Sequence, residues 1–269
     1  MQNIISKVLS DKKKSNTCAL VPFITAGYPS LKITANALYT LDKYGADIIE
    51  LGIPYLDALA DGPIIQRASQ AALNSGVYID QILGMLKTIN LKSPLIIFTY
   101  YNPILSRGVK NFINEIAECG VQGLIIPDLP FEEIDYIAFL CEYYCIELVL
   151  FVAPTSSKTR IINILNKSTG CIYLVSSTGV TGFRKSIASN IKDLSSTIKL
   201  QTNKLIMLGF GISNKDQAFK ASCLNIDGIV VGSAFIKILS EYENDKDEAR
   251  IIDNLKDFCS SLRSSIYKY

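Results

Sequence analysis

Two carboxylates carry most of the acid/base chemistry open to this chain, because its 269 residues include no histidine. Glu50 lies in the apolar run Asp47 to Leu51, and Asp61 follows in a loop marked by Gly52, Pro54, Gly62 and Pro63. A Glu near the end of a buried strand and an Asp on the loop beyond it converge on one pocket from different backbone elements. Strand alternation puts Ile48 and Glu50 on one face, with Ile49 and Leu51 on the other. An inward Glu is costly unless it is paired or keeps its proton. A carboxyl that keeps its proton at neutral pH is a ready general acid. Plainer roles stay open at this point. Glu50 would also suit a lysine partner at the strand end or backbone N–H donors, and Asp61 an Asx cap before Gly62-Pro63.

Three glycine-bearing turns supply a second kind of chemistry: Gly179-Val-Thr-Gly182, Gly209-Phe-Gly-Ile-Ser213 and Gly232-Ser-Ala234. Glycine lets backbone N–H groups approach a ligand closely. Gly232 and Ser233 open a helix, whose first amides favour an anion such as phosphate. Phe23, Phe98, Tyr100, Ile125 and Phe210 fall near strand ends, where they suit the walls of a flat apolar ligand. Tyr173, inside Cys171–Ser176, is either core or pocket. The stretch 177–187 is rich in Gly and Thr and suits a closing lid as well as a plain loop.

The elements that position these residues follow a regular beat. Strands are expected near 19–25, 47–52, 95–99, 122–126, 147–152, 171–176, 204–208 and 227–231, most of them apolar on both faces as in a covered parallel sheet. Amphipathic helices are expected at 30–44, 78–90, 108–119, 131–144, 158–167, 188–200, 214–223 and 234–241, several opened by a cap such as Ser30, Ser157 or Ser213. Eight strand–helix units predict an α/β chain forming a single (β/α)8 TIM barrel over residues 1–269. Phe23-Ile-Thr-Ala-Gly27 is no dinucleotide fingerprint, which disfavours a doubly wound sheet. Residues 2–12 and 247–266 add an N-terminal helix, suited to plugging the barrel floor, and a C-terminal helix. In such a barrel the site lies at the C-terminal strand ends, and a phosphate often sits after strands seven and eight.

Composition narrows the function further. Hydrophobic residues make up 49% of the chain, and 27 basic against 25 acidic residues leave a net charge of +2, giving no reason to expect nucleic acid or an anionic membrane as partner. Lys12-Lys13-Lys14 reads as the solvent-exposed end of the first helix. Seven scattered cysteines without a paired framework point to a reducing compartment. Cys141 and Cys145 read as two buried thiols sharing a helix face rather than a metal site. No apolar run approaches the ~20 residues of a membrane span, and the N-terminus has neither a signal core nor a transit-like stretch.

Seven segments in this order resemble the tryptophan synthase alpha chain family over essentially the full length. They are Val21–Pro29, Glu50–Pro63, Phe98–Pro103, Ile126–Pro130, Tyr173–Gly182, Gly209–Ser213 and Val231–Ala234. The resemblance implies a barrel lyase that cleaves indole-3-glycerol phosphate to indole and glyceraldehyde 3-phosphate by a retro-aldol reaction without a cofactor. By position it implies that Glu50 protonates the indole carbon and that Asp61 stabilises positive charge at the indole N–H. It places Phe23, Tyr173 and Phe210 at the substrate, Gly182, Gly211, Gly232 and Ser233 at the phosphate, and Thr181 on a lid that orders Asp61. It implies a beta chain carrying pyridoxal phosphate, which receives indole in an α2β2 complex, and a cytoplasmic or plastid-stromal location.

One departure stands out. Leu56 occupies a position where the family usually has Ser, and Ala58 one where Pro is usual, both in the loop that by resemblance faces the beta chain. Two other readings remain at this stage: a different phosphate-binding barrel enzyme, such as a sugar-phosphate isomerase or epimerase, and a barrel kept mainly as a structural subunit.

Overall fold

The computed structural model describes residues 3–175, 185–209 and 211–266. Its eight strands are β1 Ala19–Thr25, β2 Ile49–Gly52, β3 Leu95–Phe98, β4 Gly123–Ile125, β5 Glu147–Val152, β6 Cys171–Val175, β7 Leu205–Gly209 and β8 Gly228–Val231. All pair in parallel with their sequence neighbours, and β8 closes on β1. This is the (β/α)8 barrel, and each strand lies on the expected apolar run. The register explains the closure. Phe23, Glu50, Ile96, Gly123 and Glu147 are paired in turn across β1 to β5. Phe151, Tyr173, Met207, Gly228 and Ala19 are paired in turn across β5 to β1. The ladder thus climbs along β5 and again along β1, giving the stagger of about eight residues that an eight-stranded barrel needs.

The N-terminal helix, Ile4–Lys14, seals the floor, with Ile5 and Leu9 fully buried. Two strand glycines make room for them. A Cβ on Gly123 would lie 3.2 Å from Ile5, and one on Gly228 would lie 2.8 Å from Leu9. Glu147, buried on the inner face of β5, accepts the Ser6 backbone N–H at 2.9 Å and the Cys171 N–H at 3.2 Å, and also bonds the Ser6 hydroxyl. It therefore acts as a cap supplied from the barrel for a helix whose own Asn3 makes no side-chain cap bond. Asp47, just before β2, accepts the Leu20 N–H at 3.0 Å and pairs with Lys12 at 2.5 Å and Arg263 at 2.8 Å. That carboxylate ties both terminal helices to the strands. The basic run therefore does not end wholly in solvent, since Lys12 is spent on this pair while Lys13 and Lys14 are exposed.

Several expected details shift. Ser30 and Ser157 cap their helices through Ile33 N–H and Arg160 N–H. The helix Lys215–Ser222 is capped instead by Asn214, while Ser213 bonds Gln217. The helix after the 177–187 stretch begins at Lys185 rather than 188. Pro63–Asn74 and Tyr101–Arg107 are helices not anticipated from the sequence. Cys141 is buried, but its helix ends at Tyr143, and Cys145 is exposed at a φ of 60°, so the two thiols share no helix face. Cys119, Cys141, Cys171, Cys223 and Cys259 form no disulfide. Among the described residues no helix is long and apolar enough to cross a membrane, and no cluster of three or more His, Cys, Asp or Glu could hold a metal.

The floor generates a stability prediction. Replacing Glu147 by Ala strips the acceptor from two N–H groups in a closed space, where each such loss costs about 1–3 kcal/mol. Denaturant unfolding of Glu147→Ala is expected to show a loss of about 2–5 kcal/mol. A loss below about 0.5 kcal/mol, the level of an ordinary surface change, would contradict the capping role.

Candidate active site

Glu50 lies where the alternation places it, on the inner face of β2 and only 1% exposed. Its Oε2 has no hydrogen-bond partner among the described residues. Among the described residues neither a lysine nor a backbone amide bonds that oxygen. Burial, reinforced by the nearby Asp61 charge, pushes its pKa up to about 8. Glu50 therefore carries its proton at neutral pH.

Asp61 reaches the same pocket from the loop. After β2 the chain turns outward through exposed Leu56 and Asp57, then returns through buried Ala58. The Asp61 N–H donates to the Ala58 carbonyl at 3.1 Å, and Gln66 Nε2 donates to that carbonyl at 2.9 Å. These bonds tie the loop at Ala58. Gly62 is the cap residue of Pro63–Asn74 and makes no side-chain bond, while Pro63 fills the first helical position, where its missing N–H costs nothing. The Asp61 carboxylate does not cap this helix and instead accepts the Tyr100 hydroxyl at 3.1 Å. Burial raises its pKa to about 6, opposed by that hydrogen bond. Near pH 7 the two groups thus hold unlike states, a protonated Glu50 and an ionised Asp61.

Aromatic rings surround the carboxyls. Phe23 meets Phe98 edge-on at 5.7 Å, and Phe98 in turn meets Tyr100 at 6.2 Å and Phe151 at 6.4 Å. Phe151 lies tilted against Tyr173 at 4.7 Å. Tyr173 is 7% exposed, and its pKa is raised by burial and then by the charges of Glu50 and Asp61. Strand glycines admit these rings. A Cβ on Gly52 would lie 2.6 Å from the Phe23 ring, and one on Gly209 would lie 2.3 Å from that of Tyr173. Gly232 sits against Phe23 and Ile65 and opens the helix Ser233–Ser240; Gly232, Ser233 and Gly211 are all partly exposed. Ile125 is fully buried at the end of β4. Thr181, Gly182 and Phe210 lie outside the described residues, as do residues 177–184 of the loop read as a lid.

Two features escaped the sequence. Phe151 went unnamed although it shares the inner face of β5 with Glu147, and period-two counting from that Glu finds it. The bond from Tyr100 to Asp61 joins residues 39 apart and left no local signal.

A proton-holding carboxyl and an ionised one within an aromatic-walled barrel mouth define an acid/base enzyme of the TIM-barrel class. The family model described as tryptophan synthase alpha chain matches residues 9–266. The tryptophan synthase alpha chain of Gracilaria tenuistipitata var. liui is 59% identical over 95% of both chains. That of Cyanothece sp. (strain PCC 7425 / ATCC 29141) is 47% identical over 97% of both. A solved structure of Mycobacterium tuberculosis tryptophan synthase superposes with a TM-score of 0.90 at 29% identity over 99% of both chains. The alpha chain from Legionella pneumophila subsp. pneumophila gives 0.87 at 31%, over 99% of this chain and 98% of that one. The chain belongs to the tryptophan synthase alpha chain family, carbon–carbon lyases that cleave indole-3-glycerol phosphate in tryptophan biosynthesis.

The Gly209–Tyr173 contact yields a direct prediction. A methyl group at 209 forces the Tyr173 ring out of its present position, so Gly209→Ala is expected to lower kcat/KM for indole release by about tenfold or more, with a stability loss of about 1–3 kcal/mol from overpacking. Unchanged kcat/KM would show that the ring position does not matter.

Proposed function

We propose that Glu50 and Asp61 divide the proton chemistry of the lyase reaction between them, with Glu50 as general acid and then base. The observation that carries this is the buried Glu50 carboxyl, which has an oxygen without a partner among the described residues and a pKa of about 8. The Glu50 proton passes to the indole carbon that bears the glycerol chain, leaving a cationic ring system. The Asp61 carboxylate offsets the positive charge at the ring N–H. The Glu50 carboxylate then takes the hydroxyl proton of the adjacent side-chain carbon. The carbon–carbon bond breaks, its electron pair returns to the ring, and indole and the aldehyde separate with Glu50 protonated again. No electrons leave the system and no cofactor enters the scheme.

Phe23 and Tyr173 suit the faces of the indole, with Phe210 assigned to the same wall by resemblance. Gly211, Gly232 and Ser233 suit the phosphate, because backbone N–H groups at a helix start favour an anion; by resemblance Gly182 joins them, and Thr181 belongs to the lid that orders Asp61. The partner is a beta chain in an α2β2 complex that condenses the released indole with serine. The neighbouring solved tryptophan synthase structures support that reading. Leu56 at 68% and Leu59 at 90% exposure present apolar side chains on the loop assigned to that contact.

Glu50→Gln keeps the shape but cannot move the proton. Indole release is expected to fall by about a hundredfold or more, while inorganic phosphate binding stays within about twofold. For the unmodified chain, kcat/KM is expected to rise with pH through about 6, as Asp61 ionises, and to fall through about 8, as Glu50 loses its proton. Near-normal indole production by Glu50→Gln rejects the assignment.

A further inference from the structure

Tyr100 ends the turn after β3 and is the residue before the helix Tyr101–Arg107. Its phenol folds back over the loop carrying Asp61 and is 2% exposed. The Ala60 backbone N–H donates to the phenol oxygen at 3.0 Å, and the phenol donates to Asp61 Oδ2 at 3.1 Å. A phenol has one proton to give. With the neighbouring amide pointing at its oxygen, that proton is directed onto the carboxylate, where a hydrogen bond to a charged acceptor is strongest. The ring is braced as well. Tyr55 lies tilted against it at 5.3 Å, Phe98 meets it edge-on at 6.2 Å, and Asn102 Nδ2 donates to the Tyr55 hydroxyl at 3.2 Å. The Tyr101 N–H donates to Asp128 at 2.8 Å, which anchors the backbone on the far side.

We propose that Tyr100 is a positioning residue for Asp61, its hydroxyl pinned by the Ala60 N–H so that it holds the Asp61 carboxylate at the pocket. The inference rests on the assignment of Asp61 to the indole N–H, and it adds a distinct claim about what fixes that carboxylate. Among the described residues, the titratable groups that bear on Asp61 are Tyr100 from the turn after β3, Glu50 from β2 and Tyr173 from β6. Asp128, beyond β4, bears on Tyr100 itself. Of these, the Tyr100 hydroxyl is the one that lowers the Asp61 pKa, against the rise caused by burial. Removing it releases the carboxylate and favours its protonated form. A tyrosine serving only as loop packing would affect stability and leave the ionisation of Asp61 alone.

Tyr100→Phe keeps both ring contacts and removes the hydroxyl. The pH dependence of kcat/KM for indole release tests the idea, measured for the unmodified chain, Tyr100→Phe, Asp61→Asn and the double variant. The acid limb of Tyr100→Phe is expected to move up by about one pH unit, with the basic limb nearly fixed and kcat/KM about fivefold lower near pH 6. In the Asp61→Asn background the same change is expected to cost less than about twofold, because the residue acts through a group already removed. Replacing Tyr100 with difluorotyrosine, whose more acidic hydroxyl donates more strongly, moves the limb down and gives a readout should Tyr100→Phe fold poorly. An acid limb that stays in place in both variants, or an equal loss with and without Asp61, overturns the proposal. Failure of the reaction assignment shows separately, as indole release by Glu50→Gln.

Discussion

The structure turns on a carboxyl held where water cannot reach it. Glu50 is buried in the barrel wall with one oxygen unpartnered among the described residues, a cost that folding would not sustain for an ionised group. Holding the proton removes most of that cost, and the Asp61 charge nearby raises the preference for it. Asp61 is less deeply enclosed and is steadied by a hydroxyl, so it gives up its proton first. Two like side chains thus acquire opposite states from their surroundings, the pattern that allows acid and counter-charge to act in one site.

The rest of the barrel serves that arrangement. Small residues on inner strand positions are spaces for something else: Gly123 and Gly228 for the plug helix below, Gly52 and Gly209 for Phe23 and Tyr173 above. Glu147 at the floor and Glu50 at the mouth make the contrast plain. Both are inward, buried glutamates, but Glu147 is supplied by Ser6 and Cys171 donors while Glu50 has an oxygen with none among the described residues. A buried carboxyl fully supplied with donors caps and braces; one left short keeps its proton.

Much of this was legible in the sequence because the physics is local. Strand alternation alone turns Glu50 inward, and the eight apolar runs mark eight strands. What stayed hidden depended on partners far along the chain. The helix Pro63–Asn74 buries Ala68, Ser69 and Ala72, a face too small to register as apolar, and Gly62-Pro63 reads as a loop although Pro opens the helix. Pro103 likewise reads as a breaker, but it sits in the first turn of Tyr101–Arg107, where a backbone N–H has no helical partner to lose. Cys145 fell off its helix because the chain reverses there at positive φ. The tie between Tyr100 and Asp61 exists only once β2 and β3 are side by side.

The central claim is that Glu50 holds a proton at neutral pH, and infrared spectroscopy of the free chain tests it most directly. The carbonyl stretch of a protonated carboxyl, assigned by its loss in Glu50→Gln, is predicted to be present at pH 7 and to disappear as pH rises through about 8. A Glu50 band already absent at pH 7 would mean an ionised carboxylate in the wall, and would contradict the account.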